Sequence, residues 1–198
     1  MKNILLTSTG FSHDAVRDYA QKMLRHCNVK SCAIITTASS LKEKNEWAQV
    51  AKTQLKEMGV EDVAFIDLEV QSAKLLGSYD LIYVNGGNTF SLLHAFNKLN
   101  CKDVVLSHLK SGKPYIGVSA GSCVLGSDII HLETIGMDEN AVGLKNTQGY
   151  NLINKKIIPH FRNEHLEYLN SYDEGDYLLL KDGEAAAFEM GETELMKI

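Results

Sequence analysis

The 198-residue chain predicts a three-layer α/β fold: a mostly parallel sheet with helices on both faces, finished by a C-terminal antiparallel hairpin. Three observations predict it. Short apolar runs alternate with amphipathic stretches as far as Gly126, the pattern of βαβ units. The runs are apolar almost throughout, as strands covered on both faces are. After Gly126 the order changes to a strand, a helix and then closely spaced strands.

The elements follow in chain order. Asn3 to Ser8 ("NILLTS") reads as a buried strand, and "TGFSHD" after it supplies turn and cap residues. From His13 to His26, Ala15, Tyr19, Met23 and Leu24 recur at helical spacing. "CAIITTA" is the second strand. Leu41 to Met58 predicts a long helix with Trp47, Val50, Ala51, Leu55 and Met58 on one face. "DVAFIDL" and "DLIYVNGG" are the third and fourth strands. Thr89–Lys98 and Asp103–Leu109 are helices, and "PYIGVSAG" is the fifth strand. "KKIIPHF" predicts a short strand ending at His160, with a helix over Asn163–Ser171. The last stretch predicts a strand, a tight turn at Asp182-Gly183, a strand, a turn near Gly191 and a final short strand.

Length and composition are those of one globular domain over 1–198. At 44% hydrophobic and 23% charged, the chain can bury roughly 70% of its unfolded surface. The net charge of −5 argues against nucleic acid and anionic membranes, which select basic surfaces. No CxxC pair occurs among Cys27, Cys32, Cys101 and Cys123, so neither a zinc knuckle nor a dithiol site is expected. Cys32 and Cys123 read as small buried hydrophobes. No signal peptide or membrane-length apolar run is visible. The expected address is the cytoplasm.

Ligands of parallel sheets gather at the carboxyl ends of the strands. That rule puts "NGGNT" and "VSAGS" in one crevice. "GVSAG" (Gly117–Gly121) fits G-x-S-x-G, with an apolar strand before it and a helix after it. A strand-to-helix turn that tight tolerates little side chain beside the serine, and Gly117, Ala120 and Gly121 meet that need. It lifts Ser119 above the sheet, where free N–H groups can stabilise an oxyanion. The competing reading is ordinary Ser-Gly turn punctuation. Ser122, one helical turn in, is expected to bond backbone.

A serine nucleophile needs a base. His13, His26, His94 and His108 read as surface residues, and His131 and His165 are ambiguous. His160 stands at a strand end behind Pro159 and is the candidate. A base needs an orienting acid. Asp182 is a candidate, although Asp-Gly is also a turn signal in its own right; Glu133, Asp128 and Asp138 remain alternatives. Gly86 and Gly87 lie at a strand end before a helix that Asn88 or Thr89 can cap. The N–H groups of Gly87 and Ala120 would form a two-donor oxyanion hole.

"NGGNTF", then "GVSAGS", "IPHF" and an acidic turn near the C-terminus, with "ILLTSTGF" at the start, resemble the serine peptidases of the aspartyl dipeptidase (dipeptidase E) and cyanophycinase group. The resemblance spans nearly the whole chain. It implies a fold like class I glutamine amidotransferases, Ser119 as nucleophile, His160 as base and an oxyanion donor at Gly86 or Gly87. The family's acid is often Glu; the matching turn here carries the shorter Asp182. Asp-X dipeptidases need a cation for the acidic side chain. Of Arg17, Arg25 and Arg162, only Arg162, two residues past His160, is placed for it; its other reading is a surface pair with Glu164 or Glu167.

The expectation is therefore a serine peptidase of small peptides, working without metal or organic cofactor, as a monomer or homodimer. One rival is a serine esterase of the α/β-hydrolase type. That fold orders its triad Ser, acid, His, whereas here strands follow the last histidine. The other rival is a non-catalytic amidotransferase-like binding domain.

Overall fold

The computed structural model describes residues 1–169, 173–192 and 195–198. Among the described residues the main sheet has seven strands in the order β3-β2-β4-β5-β1-β8-β9. They are β1 (Ile4–Thr7), β2 (Ser31–Ile35), β3 (Asp62–Ile66), β4 (Leu81–Val84), β5 (Tyr115–Val118), β8 (Ala185–Phe188) and β9 (Met196–Lys197). The first five are parallel to one another. β8 runs antiparallel to β1, and β9 antiparallel to β8. A separate two-stranded parallel sheet joins β6 (Lys156–Ile158) and β7 (Tyr177–Leu179).

Alternation along each strand divides the core between the two faces. Leu5, Ile34, Tyr83 and Ile116 pack with Val16, Ala20 and Met23 of α1 (Asp14–His26) and with Ala48, Ala51 and Leu55 of α2 (Glu46–Glu57). Their neighbours Ile4, Leu6, Ile35 and Val84 face the other way. They meet Phe90, Leu93 and Phe96 of α3 (Thr89–Lys98), Val105 of α4 (Cys101–Lys110) and Leu132 of α6 (Ile130–Thr134). That is the expected three-layer arrangement.

Three elements differ from the sequence reading. The helix expected from Leu41 divides: a single 3-10 turn covers Lys42–Lys44, and α2 starts afresh behind Asn45, whose side chain accepts from Ala48 N–H at 3.2 Å. The face of α2 that turns to the sheet carries Ala48, Ala51 and Leu55, which recur at helical spacing. Trp47 is left 69% exposed, with Val50 beside it on the outer side. Next, no hairpin forms at Asp182-Gly183, because β7 pairs with β6 while β8 crosses to β1. The C-terminal antiparallel hairpin is β8–β9, one turn later. Finally, Asn163–Tyr168 is 3-10 rather than α-helix, and the expected end at Ser171 lies outside the described residues. No helix among the described residues is long and apolar enough to cross a membrane.

Candidate active site

β5 enters α5 (Ala120–Cys123), a single turn, through Ser119 at φ 50°, ψ −111°. Positive φ is costly without glycine, about 1–3 kcal/mol, and such strain persists only where the surroundings enforce it. The Ser119 N–H donates to Thr7 O at 3.0 Å, and the Ser119 carbonyl accepts from the Ser122 and Cys123 N–H groups at 2.8 and 3.1 Å. A Cβ on Gly117 would meet Gly121 O at 2.5 Å, so the turn closes only over glycine. Ser122 bonds backbone, as expected: its hydroxyl lies 2.9 Å from the carbonyls of Thr7 and Gly117 and accepts from Thr7 N–H at 3.1 Å.

The glycine pair flanks this elbow. A Cβ on Gly86 would stand 3.2 Å from Ser119 Cβ. Gly87 has φ 141°, and a Cβ there would meet Ala38 O at 2.3 Å, so the loop presses its backbone onto the segment that follows β2. Asn88 N–H ties it to Ala38 O at 2.8 Å. The Asn88 side chain caps α3 by accepting from Ser91 N–H at 2.9 Å. Among the described residues, no protein group accepts from the N–H of Gly87 or of Ala120. A groove of about 600 Å³ opens beside Gly87, lined by Thr37, Ser39, Lys42, Asn88 and Ser91 among others. In it Lys42 Nζ pairs with Glu69 at 2.8 Å and Asp67 at 3.4 Å.

His160 and Asp182 meet because the small parallel sheet runs on past its strands. Leu180 N–H donates to Ile158 O, and Phe161 N–H to Leu180 O, each at 3.0 Å. Both chains then turn over the elbow. His160 Nε2 stands 3.2 Å from Ser119 Oγ, and its Nδ1 stands 2.6 Å from Asp182 Oδ1. A carboxylate can only accept, so the imidazole carries a proton on Nδ1, toward Asp182. Burial pushes the Asp182 carboxyl up. The hydrogen bonds from His160 and Ser8, with the charges of His160 and Arg162, outweigh burial and hold it below its ordinary range. Gly183 N–H donates to Thr9 Oγ1 at 2.9 Å, which fixes this turn to the end of β1.

Among the described residues the other candidate acids do not hydrogen-bond His160, although its charge reaches Asp138. Asp138 Oδ2 accepts from Thr89 N–H at 2.9 Å, and burial pushes its carboxyl up. Glu133 accepts from Asn140 N–H, and Asp128 from Ile130 N–H and the Thr147 hydroxyl. His131 is buried with Nε2 on Ile157 O at 2.9 Å. His165 accepts from Arg162 N–H at 3.2 Å. Arg162 itself sits 3.6 Å from Glu164 with its side chain 72% exposed, so the surface pair forms, and the cation near His160 is solvated. His108, expected on the surface, is buried and bonds Pro114 O at 2.9 Å. All four cysteines are free, and Cys32 and Cys123 are buried as expected. The residue the sequence reading missed is Ser8. It is fully buried, and its hydroxyl donates to Asp182 Oδ1 at 3.0 Å and accepts from His160 N–H at 2.8 Å. Its position at a strand end was the available signal.

Known proteins share this fold. The model of peptidase family S51 matches residues 4–196. An uncharacterized peptidase of Listeria monocytogenes serovar 1/2a is 33% identical over 167 residues, 82% of this chain and 80% of its own. Peptidase E of Haemophilus influenzae is 28% identical over 167 residues, 81% of this chain and 74% of its own. The crystal structure of a candidate peptidase E from Listeria monocytogenes EGD-e superposes with a TM-score of 0.84 at 26% identity, covering 100% of this chain and 98% of that one. Fold and relatives together define a peptidase. The chain belongs to peptidase family S51.

Proposed function

We propose that the chain is a serine peptidase of small peptides that works through an acyl-enzyme on Ser119. The observation that supports this most is the unbroken path from Ser119 Oγ through the His160 ring to Asp182 Oδ1. Ser119 Oγ attacks the scissile carbonyl while His160 Nε2 takes its proton. Asp182 holds the ring in the tautomer that leaves Nε2 free and stabilises the imidazolium that forms. The N–H groups of Gly87 and Ala120 receive the oxyanion, each donor contributing about 3–4 kcal/mol to the transition state. His160 then protonates the leaving amine, and water attacks the acyl-enzyme by the same route. These steps need no metal or organic cofactor. The groove beside Gly87 receives the peptide.

Asp-X dipeptides in the cytoplasm are the substrates we propose, with Arg162 released from Glu164 to hold the Asp side chain bidentately. The test begins with a fluorophosphonate probe. Wild-type protein is expected to be labelled at Ser119, and Ser119→Ala to lose both labelling and at least ~10⁴-fold of peptidase activity. Equal behaviour of the two proteins would end the serine reading. A panel of dipeptides with acidic, basic and apolar first residues tests the substrate. If Asp-X is cleaved no faster than the rest, the Arg162 assignment is wrong.

A further inference from the structure

We infer that Ser8 is a positioning residue of the reaction, one hydroxyl that fixes the acid and the base of the site together; the inference rests on the serine-peptidase reading. Ser8 follows β1, and its N–H is bound to Glu184 O at 3.1 Å. It is fully buried. Its Oγ lies 3.0 Å from Asp182 Oδ1, 2.8 Å from the His160 backbone nitrogen and 3.4 Å from His160 Nδ1.

A hydroxyl has one proton and two lone pairs. The backbone N–H of His160 can only donate, so Ser8 Oγ accepts there. His160 Nδ1 keeps its own proton for Asp182 at 2.6 Å. The Ser8 proton therefore goes to Asp182 Oδ1, the same oxygen that receives the imidazole. The two donors converge on one oxygen and fix how the carboxylate is turned. This matters because the Asp182 side chain is 65% exposed and that of His160 41%. Water competes for both groups, whereas the buried Ser8 hydroxyl does not have to compete with it. The second bond acts on the base. His160 holds φ 50°, an unfavourable region for a side chain as large as imidazole, and the Ser8 oxygen satisfies its N–H in that conformation. Without the hydroxyl, ring and carboxylate lose their common anchor, and small losses of alignment cost large factors in rate.

The test measures fluorophosphonate labelling of wild-type, Ser8→Ala, Asp182→Ala and doubly substituted protein across pH. Ser8→Ala is expected to slow labelling about 10–100-fold, with the melting temperature falling only modestly. In the Asp182→Ala background the same substitution should cost clearly less than in wild type, since the share of Ser8 that acts through that carboxylate is already gone and only its bond to the His160 N–H remains; a purely structural effect would be the same in both backgrounds. Proton NMR gives a readout independent of turnover. The His160 Nδ1–H resonance should lie far downfield in wild type and broaden or vanish in Ser8→Ala. Ser8→Thr, which keeps the hydroxyl, should recover most of the rate. If Ser8→Ala does not fold, Ser8→Cys replaces it, a thiol being a weak donor of similar shape. Wild-type rates in the hydroxyl-free variant would overturn the inference, as would equal losses in both backgrounds. An unlabelled wild type would instead strike at the serine reading itself, and the downfield resonance would still decide whether Ser8 holds the pair.

Discussion

A Cβ placed on Gly121 would lie 2.2 Å from the carbonyl oxygen of Val84. Backbone cannot swing aside as a flexible side chain can. α5 therefore rests directly on β4, and this contact sets how far Ser119 stands above the sheet. Gly121→Ala must push helix and strand apart. We expect a loss of about 3 kcal/mol, the upper part of the range for overpacking, read as a fall of about 6–12 °C in Tm. Labelling at Ser119 should fall with it, since the serine and its N–H donors shift together. An unchanged Tm would mean that the elbow is looser than its packing indicates.

Asp182 and Asp138 make opposite predictions. Asp182 Oδ1 touches the imidazole, whereas Asp138 caps the N–H of Thr89. Asp182→Asn places an amide where the ring needs a charged acceptor and favours the wrong tautomer, at a cost of about 10⁴-fold in kcat. Asp138→Asn keeps an oxygen for the cap and should cost less than tenfold. Dipeptide or ester hydrolysis by the two variants decides between them. The reverse ranking would move the acid to Asp138.

What was legible in the sequence depended on how local its cause was. Ser119 and His160 sit at the ends of short apolar strands, and the strand-end rule finds both. Asp182 was recognisable as an acid at a turn, but its route to His160 was not. Asp-Gly is a strong local hairpin signal, and only the distant choice of β7 to pair with β6 overrides it. Ser8 obeys the strand-end rule too, yet a single hydroxyl carries no motif. Trp47 lies outside the stripe of Ala48, Ala51 and Leu55 that α2 buries, and alanines mark a buried face only weakly. His108 shares the buried face of α4 with Cys101, Val105 and Leu109, a helical spacing legible in the sequence, whereas His131 is held by the distant carbonyl of Ile157.

Arg162 offers a prediction in which stability and specificity separate. Its pair with Glu164 is exposed at 3.6 Å, and such pairs are worth roughly 0–1 kcal/mol. Arg162→Ala should leave the Tm within about 4 °C of wild type. If the side chain receives substrate, kcat/KM for Asp-X peptides should still fall at least ~10-fold, the equivalent of one charge-assisted hydrogen bond, while Ala-X peptides are unaffected. Equal losses on both substrates would point to a role at His160 rather than in recognition.

Acid should unfold this protein through its buried imidazoles before it reaches most of its carboxylates. Burial brings His108 and His131 down to about 4, from 6.5. Each keeps one ring nitrogen, Nδ1, without a partner among the described residues. Between those pH values the unfolded chain binds more protons than the folded one, so stability rises with pH across the window and falls on acidification. The stability held by the neutral rings is complete above about pH 6.5 and lost as pH falls through 4. It amounts to at most about 3 kcal/mol per ring. The Asp182 carboxyl, held below its ordinary range, loses its contribution only at lower pH, so the two effects separate. Urea unfolding at pH 7, 5 and 4 should show proton uptake on unfolding of about two beyond that of a His108→Gln, His131→Gln double variant near pH 5. That variant should be weaker at pH 7, since Gln cannot fill an imidazole site without loss, but its stability should vary less with pH. The same slope in both proteins would show that neither ring is buried in its neutral form.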